Sequence, residues 1–269
     1  MEKEPQMRIF DFLGAERRYF IALPGDFDED TRYWPLVAVH GGGGNARSNS
    51  KAIVMRHRAD ELDLPVIMVM PEFVTVDKQV SRFPLLGEAA FLKALLGQVH
   101  SEFYLQEKIL LYGYSMGGQF AHRFALSNPG LVQACAAFAA GTWSTPDGRL
   151  LIEDYGEVKN PGVFLSDRGN ARKVPERLRD MFDERTAEIA GLPASAGAEN
   201  VPFLVMCGTI DSRYGIAVEF ASCMKEMGYK VETAWPRTPH SSKSGDFEAE
   251  FLKFPEEAVR FFKRHATGM

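Results

Sequence analysis

The sequence predicts an α/β protein with a mostly parallel central sheet, helices on both faces and a small cap-like insertion. Three features of the chain indicate this class. Short apolar runs, of the kind found in strands that are buried on both faces, recur along the chain. Segments with apolar residues at helical spacing alternate with these runs. Several runs end in glycines or polar residues, which indicates that functional groups gather at the carboxyl edge of the sheet.

The length and composition favour one large domain. The 269 residues, 45% of them hydrophobic, are enough to bury the sheet in a single domain spanning residues 1–269, in preference to two small domains. The net charge is −5 and the chain has no dense run of Lys and Arg, so neither nucleic acid nor a membrane surface is indicated as a partner. A small neutral substrate fits this composition better. The sequence leaves the oligomeric state open.

The cysteines and the first residues indicate where the protein works. Three cysteines, Cys135, Cys207 and Cys223, are an odd number without metal-ligand spacing, and their apolar or helical surroundings indicate buried free thiols. Residues 1–5 are polar, and no apolar stretch follows them that is long enough for a signal peptide or a membrane span. We therefore expect a cytoplasmic protein.

The chain opens with an antiparallel pair of strands. Residues 7–12 and 17–23 are short apolar or aromatic runs separated by Gly14, and the turn residues from Leu23 to Asp26 close the second run. We expect this pair at an edge of the sheet. The acidic residues 27–33 then form a loop.

A glycine run follows the next predicted strand. Residues 35–39 are continuously apolar and end in His40 and four glycines, Gly41 to Gly44. Consecutive glycines let backbone N–H groups turn inward and approach a ligand closely, as an oxyanion hole requires. A phosphate-binding loop is a rival interpretation, but no Gly-Lys-Ser/Thr follows, and a merely flexible loop is another. His40 is expected to brace the loop by hydrogen bonds instead of acting as a base.

The segment from residue 48 to residue 103 continues the alternation. It predicts a helix at residues 48–60, a buried strand at 65–70, a loop at 72–84 near the expected active-site edge, and a crossover helix at 88–103. Three histidines on predicted helices are expected to be surface or packing residues: His57, His100 and His122.

The strongest motif is Gly-x-Ser-x-Gly at Gly113 to Gly117. An apolar strand beginning at Ile109 precedes it and a helical pattern follows it, which is the context of a nucleophile elbow. In such an elbow a tight strand-to-helix turn holds the serine, here Ser115, in a strained conformation, and the glycines leave room for close packing. The helix behind it aims free N–H groups at the reacting centre. Alone, the motif is also typical of a plain glycine-rich turn.

An insertion is predicted after the next strand, residues 134–140. Residues 143–200 contain turn signals at 145–148, a short strand at 162–165 and a charged helix at 175–190. We expect a cap or lid within the domain, because this segment leaves from one strand end and returns just before another. Its candidates for a substrate-facing wall are Trp143, Tyr155, Phe164, Met181 and Phe182, of which Trp143 lies closest to the sheet edge.

The remaining residues predict two further strands, each followed by a polar residue. Residues 201–207 form a strand that runs into Asp211, and residues 230–235 form the last strand, which runs towards His240. Helices are predicted at residues 216–228 and 248–265, the second of them amphipathic and covering the sheet.

The order of these motifs resembles that of a known family. His40 with the following glycines, the Ser115 motif, Asp211 and His240 follow successive strands, as in the α/β-hydrolase fold and especially its esterases. The segment from Ala22 to Gly25, together with the glycine loop and the elbow, resembles the polyhydroxyalkanoate depolymerase and feruloyl esterase branch. The resemblance covers the chain from about residue 17 to its end.

The predicted chemistry follows from what an ester requires. A serine hydroxyl needs a base, and the neutral imidazole of His240 suits that task. Asp211 would fix the tautomer of the imidazole and stabilise its charge; the alternatives are that Asp211 only caps a turn or helix and that Asp167 is the acid. The N–H of Met116 and one from Gly42 or Gly43 would bind the oxyanion.

We therefore expect a serine hydrolase that cleaves small-molecule carboxylic esters through an acyl-enzyme intermediate. No metal and no organic cofactor are expected. Two alternatives remain open. One is an acyltransferase, a thioesterase or a peptidase that uses the same three residues. The other is a non-catalytic binding protein with a hydrolase fold, which the presence of all the expected residues disfavours.

Overall fold

A computed structural model of the chain describes residues 5–42, 46, 50–73, 86–152, 156–158, 193–240 and 247–266. Within this part, eight strands form one sheet: β1 (Gln6–Phe12), β2 (Ala15–Ala22), β3 (Trp34–Val39), β4 (Val66–Pro71), β5 (Ile109–Tyr114), β6 (Val132–Phe138), β10 (Phe203–Met206) and β11 (Val231–Ala234). Three short strands form a second sheet: β7 (Thr142–Ser144), β8 (Leu150–Ile152) and β9 (Gly156–Val158).

The large sheet is mostly parallel, as predicted. Its strand order is β1-β2-β4-β3-β5-β6-β10-β11. The β1–β2 and β2–β4 pairs are antiparallel, and the other neighbours run parallel. The central strands β3 and β4 are buried along their whole length, because each is a continuous run of apolar residues with helices packed above and below.

Five α-helices lie in the described part of the chain: α1 (Ser50–Glu61), α2 (Leu86–Glu102), α3 (Met116–Ser127), α4 (Tyr214–Glu226) and α5 (Glu248–Ala266). One layer contains α1 and α5, which are joined by an ion pair between Arg58 and Glu256. In the other layer, Phe120 of α3 packs on Phe73, with 4.6 Å between ring centroids. None of the described helices is both long and apolar enough to cross a membrane.

The described start of the insertion differs from the sequence prediction. The turn at residues 145–148 is present, with a hydrogen bond of 2.9 Å from the N–H of Gly148 to the carbonyl of Thr145. It connects β7 to β8 in an antiparallel pair that turn signals alone did not predict. The predicted strand at 162–165 and helix at 175–190 lie outside the described residues. The cap therefore stays a prediction.

Chain direction places the candidate functional residues together. Parallel strands β3, β5, β10 and β11 present their carboxyl ends at the same edge of the sheet. Ser115 follows β5 directly, Asp211 follows β10, and His240 follows β11. The cysteines are all free thiols: Cys135 and Cys207 are buried, and Cys223 is half-buried.

Candidate active site

Ser115 occupies a sharp turn between β5 and α3. Its backbone angles are φ 55° and ψ −112°, in the region that residues with a side chain rarely adopt. The turn is fixed by a hydrogen bond of 2.8 Å from the N–H of Ser115 to the carbonyl of Phe138, and by one of 3.0 Å from the N–H of Gln119 to the carbonyl of Ser115. This is the strained strand-to-helix geometry of a nucleophile elbow.

The glycines around Ser115 are required by close backbone contacts. A Cβ atom on Gly113 would lie 1.9 Å from the carbonyl oxygen of Gly117, and a Cβ atom on Gly117 would lie 2.2 Å from the carbonyl oxygen of Val39. A Cβ atom on Gly118 would meet the carbonyl oxygen of Phe138 at 2.7 Å. The elbow therefore packs directly against β3 and β6, which fixes the position of the serine relative to the sheet.

His240 contacts both of its predicted partners. Its Nε2 atom lies 3.1 Å from Oγ of Ser115, and its Nδ1 atom lies 2.8 Å from Oδ2 of Asp211. Because an ionised carboxylate only accepts hydrogen bonds, Nδ1 carries the proton, and in the neutral ring Nε2 is left as an acceptor for the serine hydroxyl. The three side chains form one chain of hydrogen bonds in the order that a serine nucleophile, a base and an acid require.

The loop that carries His240 is bonded to the loop that carries Asp211. The N–H of Thr209 donates to the carbonyl of Pro236 at 3.0 Å, and the N–H of Ile210 donates to the carbonyl of Thr238 at 3.3 Å. A Cβ atom on Gly208 would lie 2.0 Å from the carbonyl oxygen of Thr238, so this close approach requires glycine. These contacts hold the acid and the base in register.

Asp211 makes the hydrogen bonds that both sequence interpretations require. Besides accepting from His240, it accepts a hydrogen bond of 3.1 Å from the backbone N–H of Arg213 and one of 3.2 Å from its Nη1. The first of these braces the turn before α4. The side chain is fully buried, which by itself would raise the pKa of the carboxyl. The hydrogen bonds from His240 and Arg213, with their charges, outweigh burial and lower the pKa of Asp211.

The glycine loop lies beside the elbow. A Cβ atom on Gly41 would lie 3.5 Å from Cβ of Ser115, and one on Gly42 would lie 3.9 Å from Cβ of Met116. Met116 is the first residue of α3, so its N–H has no acceptor one turn earlier in the helix. The predicted oxyanion donors Met116 and Gly42 are thus neighbours of the serine, whereas Gly43 lies outside the described residues.

His40 braces the glycine loop through both of its ring nitrogens. Nδ1 lies 2.8 Å from the carbonyl oxygen of Gly41, and Nε2 accepts a hydrogen bond of 3.2 Å from the N–H of Phe73. Burial lowers the pKa of His40, although the hydrogen bond to Gly41 opposes this shift. The ring is therefore neutral, and its contacts are those of a structural brace, as its place at the strand end predicts.

His122 likewise serves the structure around the elbow helix. Its Nδ1 lies 2.8 Å from the carbonyl oxygen of Gly118, and its Nε2 accepts a hydrogen bond of 2.9 Å from the N–H of Ser144 in β7. Burial, together with the charge of Arg123, lowers the pKa of His122 well below 6.5. This neutral imidazole ties α3 to the start of the insertion. His57 and His100 are half-buried on their helices.

Trp143 lies in a different environment from the one that a pocket wall requires. Its side chain is 0% exposed and packs against both Phe220 of α4 and His122, with centroid separations of 4.5 Å and 4.9 Å. This packing indicates a core residue beneath the insertion, so direct contact with a substrate stays a prediction that burial does not favour. The alternative acid and the other wall candidates lie outside the described residues: Tyr155, Phe164, Asp167, Met181 and Phe182.

Two residues that contact the site carried no signal in the sequence. Arg213 donates to Asp211, and the hydroxyl of Tyr114 donates to the backbone carbonyl of His240 at 2.5 Å. Tyr114 occupies a variable position of the serine motif, and Arg213 follows the acid by two residues, so neither position is fixed by the motif. Among the described residues, no group of three His, Cys, Asp or Glu side chains is arranged to hold a metal ion.

Comparison with solved structures identifies the fold. A ferulic acid esterase superposes with a TM-score of 0.68 at 17% identity over 97% of both chains. A fluorophosphonate-binding serine hydrolase of Staphylococcus aureus has a TM-score of 0.62 at 16% identity, covering 96% of this chain and 98% of that one. An acylaminoacyl peptidase of Pyrococcus horikoshii has a TM-score of 0.68 at 17% identity, covering 98% of this chain and 42% of that one.

These matches confirm the predicted fold class. The chain has the α/β-hydrolase fold, and in fold it resembles a feruloyl esterase, as the order of its motifs suggested. No protein-family model matches its sequence, and the search of curated proteins gave no match. The reaction is therefore inferred from the geometry of the site.

Proposed function

We propose that the chain is a serine hydrolase that cleaves carboxylic esters of small molecules through an acyl-enzyme intermediate. The observation that carries this proposal is the chain of hydrogen bonds from Ser115 through His240 to Asp211, at 3.1 Å and 2.8 Å. A buried carboxylate, an oriented imidazole and a strained serine are seldom combined for packing alone. Together they activate a hydroxyl for attack on an acyl carbon.

In the first half of the reaction, Oγ of Ser115 attacks the ester carbonyl carbon while its proton passes to Nε2 of His240. Asp211 accepts the Nδ1–H of the resulting imidazolium and stabilises its charge without taking the proton. The backbone N–H of Met116 and one from Gly42 or Gly43 would donate to the oxyanion. The imidazolium then gives its proton to the leaving alcohol, and the acyl group remains on the serine.

In the second half, the same groups act on water. Neutral His240 takes a proton from water as the oxygen attacks the acyl-enzyme. The tetrahedral intermediate then collapses and releases the carboxylic acid, while the imidazolium returns its proton to Oγ of Ser115. None of these proposed steps requires a metal or an organic cofactor. We propose that the insertion at residues 143–200 covers this site within one domain and selects the ester.

Other acyl-transfer reactions use the same three groups. One of the structural neighbours is named as an acylaminoacyl peptidase. A thioester, an amide or an alcohol acceptor would enter the mechanism at the leaving-group or water step without changing Ser115, His240 or Asp211. Assays with an ester, a thioester and an N-acyl amide of the same acyl group separate these reactions. A non-catalytic hydrolase-fold protein would turn over none of them.

The direct test is hydrolysis of p-nitrophenyl acetate by the wild-type protein and by Ser115→Ala. Alanine keeps the Cβ atom at φ 55°, so the variant should fold while losing the nucleophile, with turnover falling on the order of 10⁶-fold. Ser101→Ala, an exposed helical serine that bonds to the carbonyl of Gln98, is the matched control and should keep full activity. A pure Ser115→Ala sample with a tenth of the wild-type rate would contradict the proposal.

A further inference from the structure

Tyr114 contacts three parts of the candidate site at once. It is the last residue of β5, directly before the serine. Its hydroxyl donates a hydrogen bond of 2.5 Å to the backbone carbonyl of His240, 126 residues further along the chain. Its ring lies alongside the His240 imidazole, with 5.4 Å between centroids and 21° between planes. The elbow and the base are thus linked through one side chain.

The same ring also packs against the glycine loop. A Cβ atom on Gly41 would lie 2.9 Å from Cδ1 and 3.1 Å from Cε1 of Tyr114. Since real Cβ atoms essentially never come within 3.0 Å of such a neighbour, Gly41 leaves the space that the ring fills. The ring therefore contacts the loop on which the predicted oxyanion donor Gly42 lies.

Two other aromatic side chains pack against the Tyr114 ring. Phe138 of β6 packs on it at 4.9 Å between centroids, and Phe251 of α5 meets it edge-on at 5.9 Å. Burial, with the charge of Asp211, raises the pKa of Tyr114 to about 12, so the phenol keeps its proton and remains a hydrogen-bond donor at neutral and moderately alkaline pH. Both the place and the donor role of the hydroxyl are fixed.

Tyr114 bonds to the main chain of the loop that carries His240. Backbone hydrogen bonds join the loop to the neighbouring strand end as far as Thr238. In the part of the chain that the structure describes, the main-chain hydrogen bond at His240 itself comes from Tyr114. A general base that is displaced by about 1 Å loses on the order of a hundredfold in rate, because proton transfer depends on a short, aligned contact.

We propose that Tyr114 is a positioning residue that holds the His240 main chain and imidazole against Ser115, with its ring seated on Gly41. The proposal rests on the proposed serine hydrolase function. It assigns Tyr114 no contact with the substrate and no proton in the reaction. Removing the hydroxyl should therefore impair turnover more than substrate binding.

The test compares Tyr114→Phe with Tyr112→Phe. Tyr112 lies two residues earlier on the same strand, and its fully buried hydroxyl has no hydrogen-bond partner in the described part of the chain. Both variants lose one hydroxyl from β5 and keep the aromatic ring. The hydrogen bond to His240 is lost in Tyr114→Phe and kept in Tyr112→Phe. For Tyr114→Phe we expect kcat on p-nitrophenyl acetate to fall about tenfold to a hundredfold with KM within about twofold. Tyr112→Phe should leave both constants within about twofold of wild type.

Two further measurements separate positioning from general damage. The rate of labelling by a fluorophosphonate should fall with kcat in Tyr114→Phe. Thermal unfolding of both variants gives their folded fractions, and the rates are corrected to these fractions. The low-field proton resonance of the His240 Nδ1–H bonded to Asp211 should broaden in Tyr114→Phe and stay sharp in Tyr112→Phe. This resonance reports the position of the imidazole even without turnover.

Unchanged kcat and an unchanged resonance in Tyr114→Phe would overturn the proposal, and so would equal losses in the two variants. Failure of the proposed function has a different signature. In that case the wild-type protein neither hydrolyses the ester nor reacts with the fluorophosphonate, while the resonance still shows whether Tyr114 holds His240.

Discussion

Replacing Asp211 by Asn tests the role of the carboxylate, and the structure determines how the amide should orient. Asp211 Oδ2 accepts from Nδ1 of His240, whereas Oδ1 accepts from both the backbone N–H and the Nη1 of Arg213. An amide has one oxygen and one NH₂ group, so one side of the substituted side chain must lose its acceptor. If the amide oxygen faces Arg213, two hydrogen bonds are preserved, each worth about 1–3 kcal/mol in a buried setting. If it faces His240 instead, one hydrogen bond is preserved, so the first orientation is favoured.

This orientation forces the imidazole into the wrong tautomer. With the NH₂ group facing Nδ1, that nitrogen must accept, so the proton of neutral His240 moves to Nε2 and the ring no longer accepts from the Ser115 hydroxyl. We expect kcat to fall by about 10⁴, equivalent to about 5.5 kcal/mol of transition-state stabilisation. KM should change far less, since Asp211 is fully buried behind His240.

The assay is p-nitrophenyl acetate hydrolysis, with nitrogen NMR of the His240 ring reporting the tautomer. Asp28→Asn is a matched control, because Asp28 accepts hydrogen bonds in an exposed loop from Thr31 and Asp30. A loss below tenfold for Asp211→Asn would refute the assignment. If Asp167→Asn, expected to cost less than about tenfold, then abolished turnover, the acid would lie in the insertion.

The same substitution should change the dependence of stability on pH. Since the pKa of Asp211 is lowered in the fold, its ionised form stabilises the protein above the pKa of the unfolded chain, about 3.9, and this contribution is lost as pH falls through the lower folded value. Asp211→Asn should therefore be less stable than wild type at pH 7, with the difference shrinking below about pH 4. A constant difference across this range would contradict the ionised, hydrogen-bonded state.

Two further predictions concern the packing around the elbow helix. The pKa of His122 lies well below 6.5 in the fold. As pH falls from 7 to 5.5, the unfolded chain therefore binds a proton at this histidine more readily than the folded chain does. This difference should lower the free energy of unfolding by up to about 1.4 kcal/mol for each pH unit below 6.5. Urea unfolding should show a weaker loss over this range in His122→Gln, and an equal loss would contradict the burial of a neutral ring. Trp143→Ala should destabilise the protein by about 3–5 kcal/mol in the same assay, because it leaves a cavity beside Phe220. A tenfold change in preference between short and long acyl esters with little loss of stability would instead support the predicted wall role of Trp143.

Much of the fold follows from the sequence because the apolar runs are unambiguous. The predicted run at residues 35–39 is the strand Trp34–Val39, and the predicted run at 230–235 is the strand Val231–Ala234. No boundary of these two strands differs from the prediction by more than one residue. Glycine contributes as much as the apolar runs. The backbone approaches at Gly113 and Gly117 leave no space for a side chain, which is why the motif marks the turn so clearly.

The sequence could not predict contacts that depend on where separate loops meet. The bond from Tyr114 to His240 joins residues 126 positions apart, and the bond from Arg213 to Asp211 depends on the turn that precedes α4. Trp143 shows a second limit. A large aromatic residue just past a strand end is compatible with a pocket wall and with a packed core, and only the positions of Phe220 and His122 decide between them.

The central claim is that Ser115 is an activated nucleophile, and covalent labelling tests it most directly. The wild-type protein is treated with a fluorophosphonate, and the modified residue is located by peptide mass spectrometry. We predict one adduct, on Ser115, that forms at least a hundredfold more slowly in His240→Ala, because the serine then lacks its base. No adduct on the folded wild-type protein, or an adduct on another serine at an equal rate, would contradict the proposed mechanism.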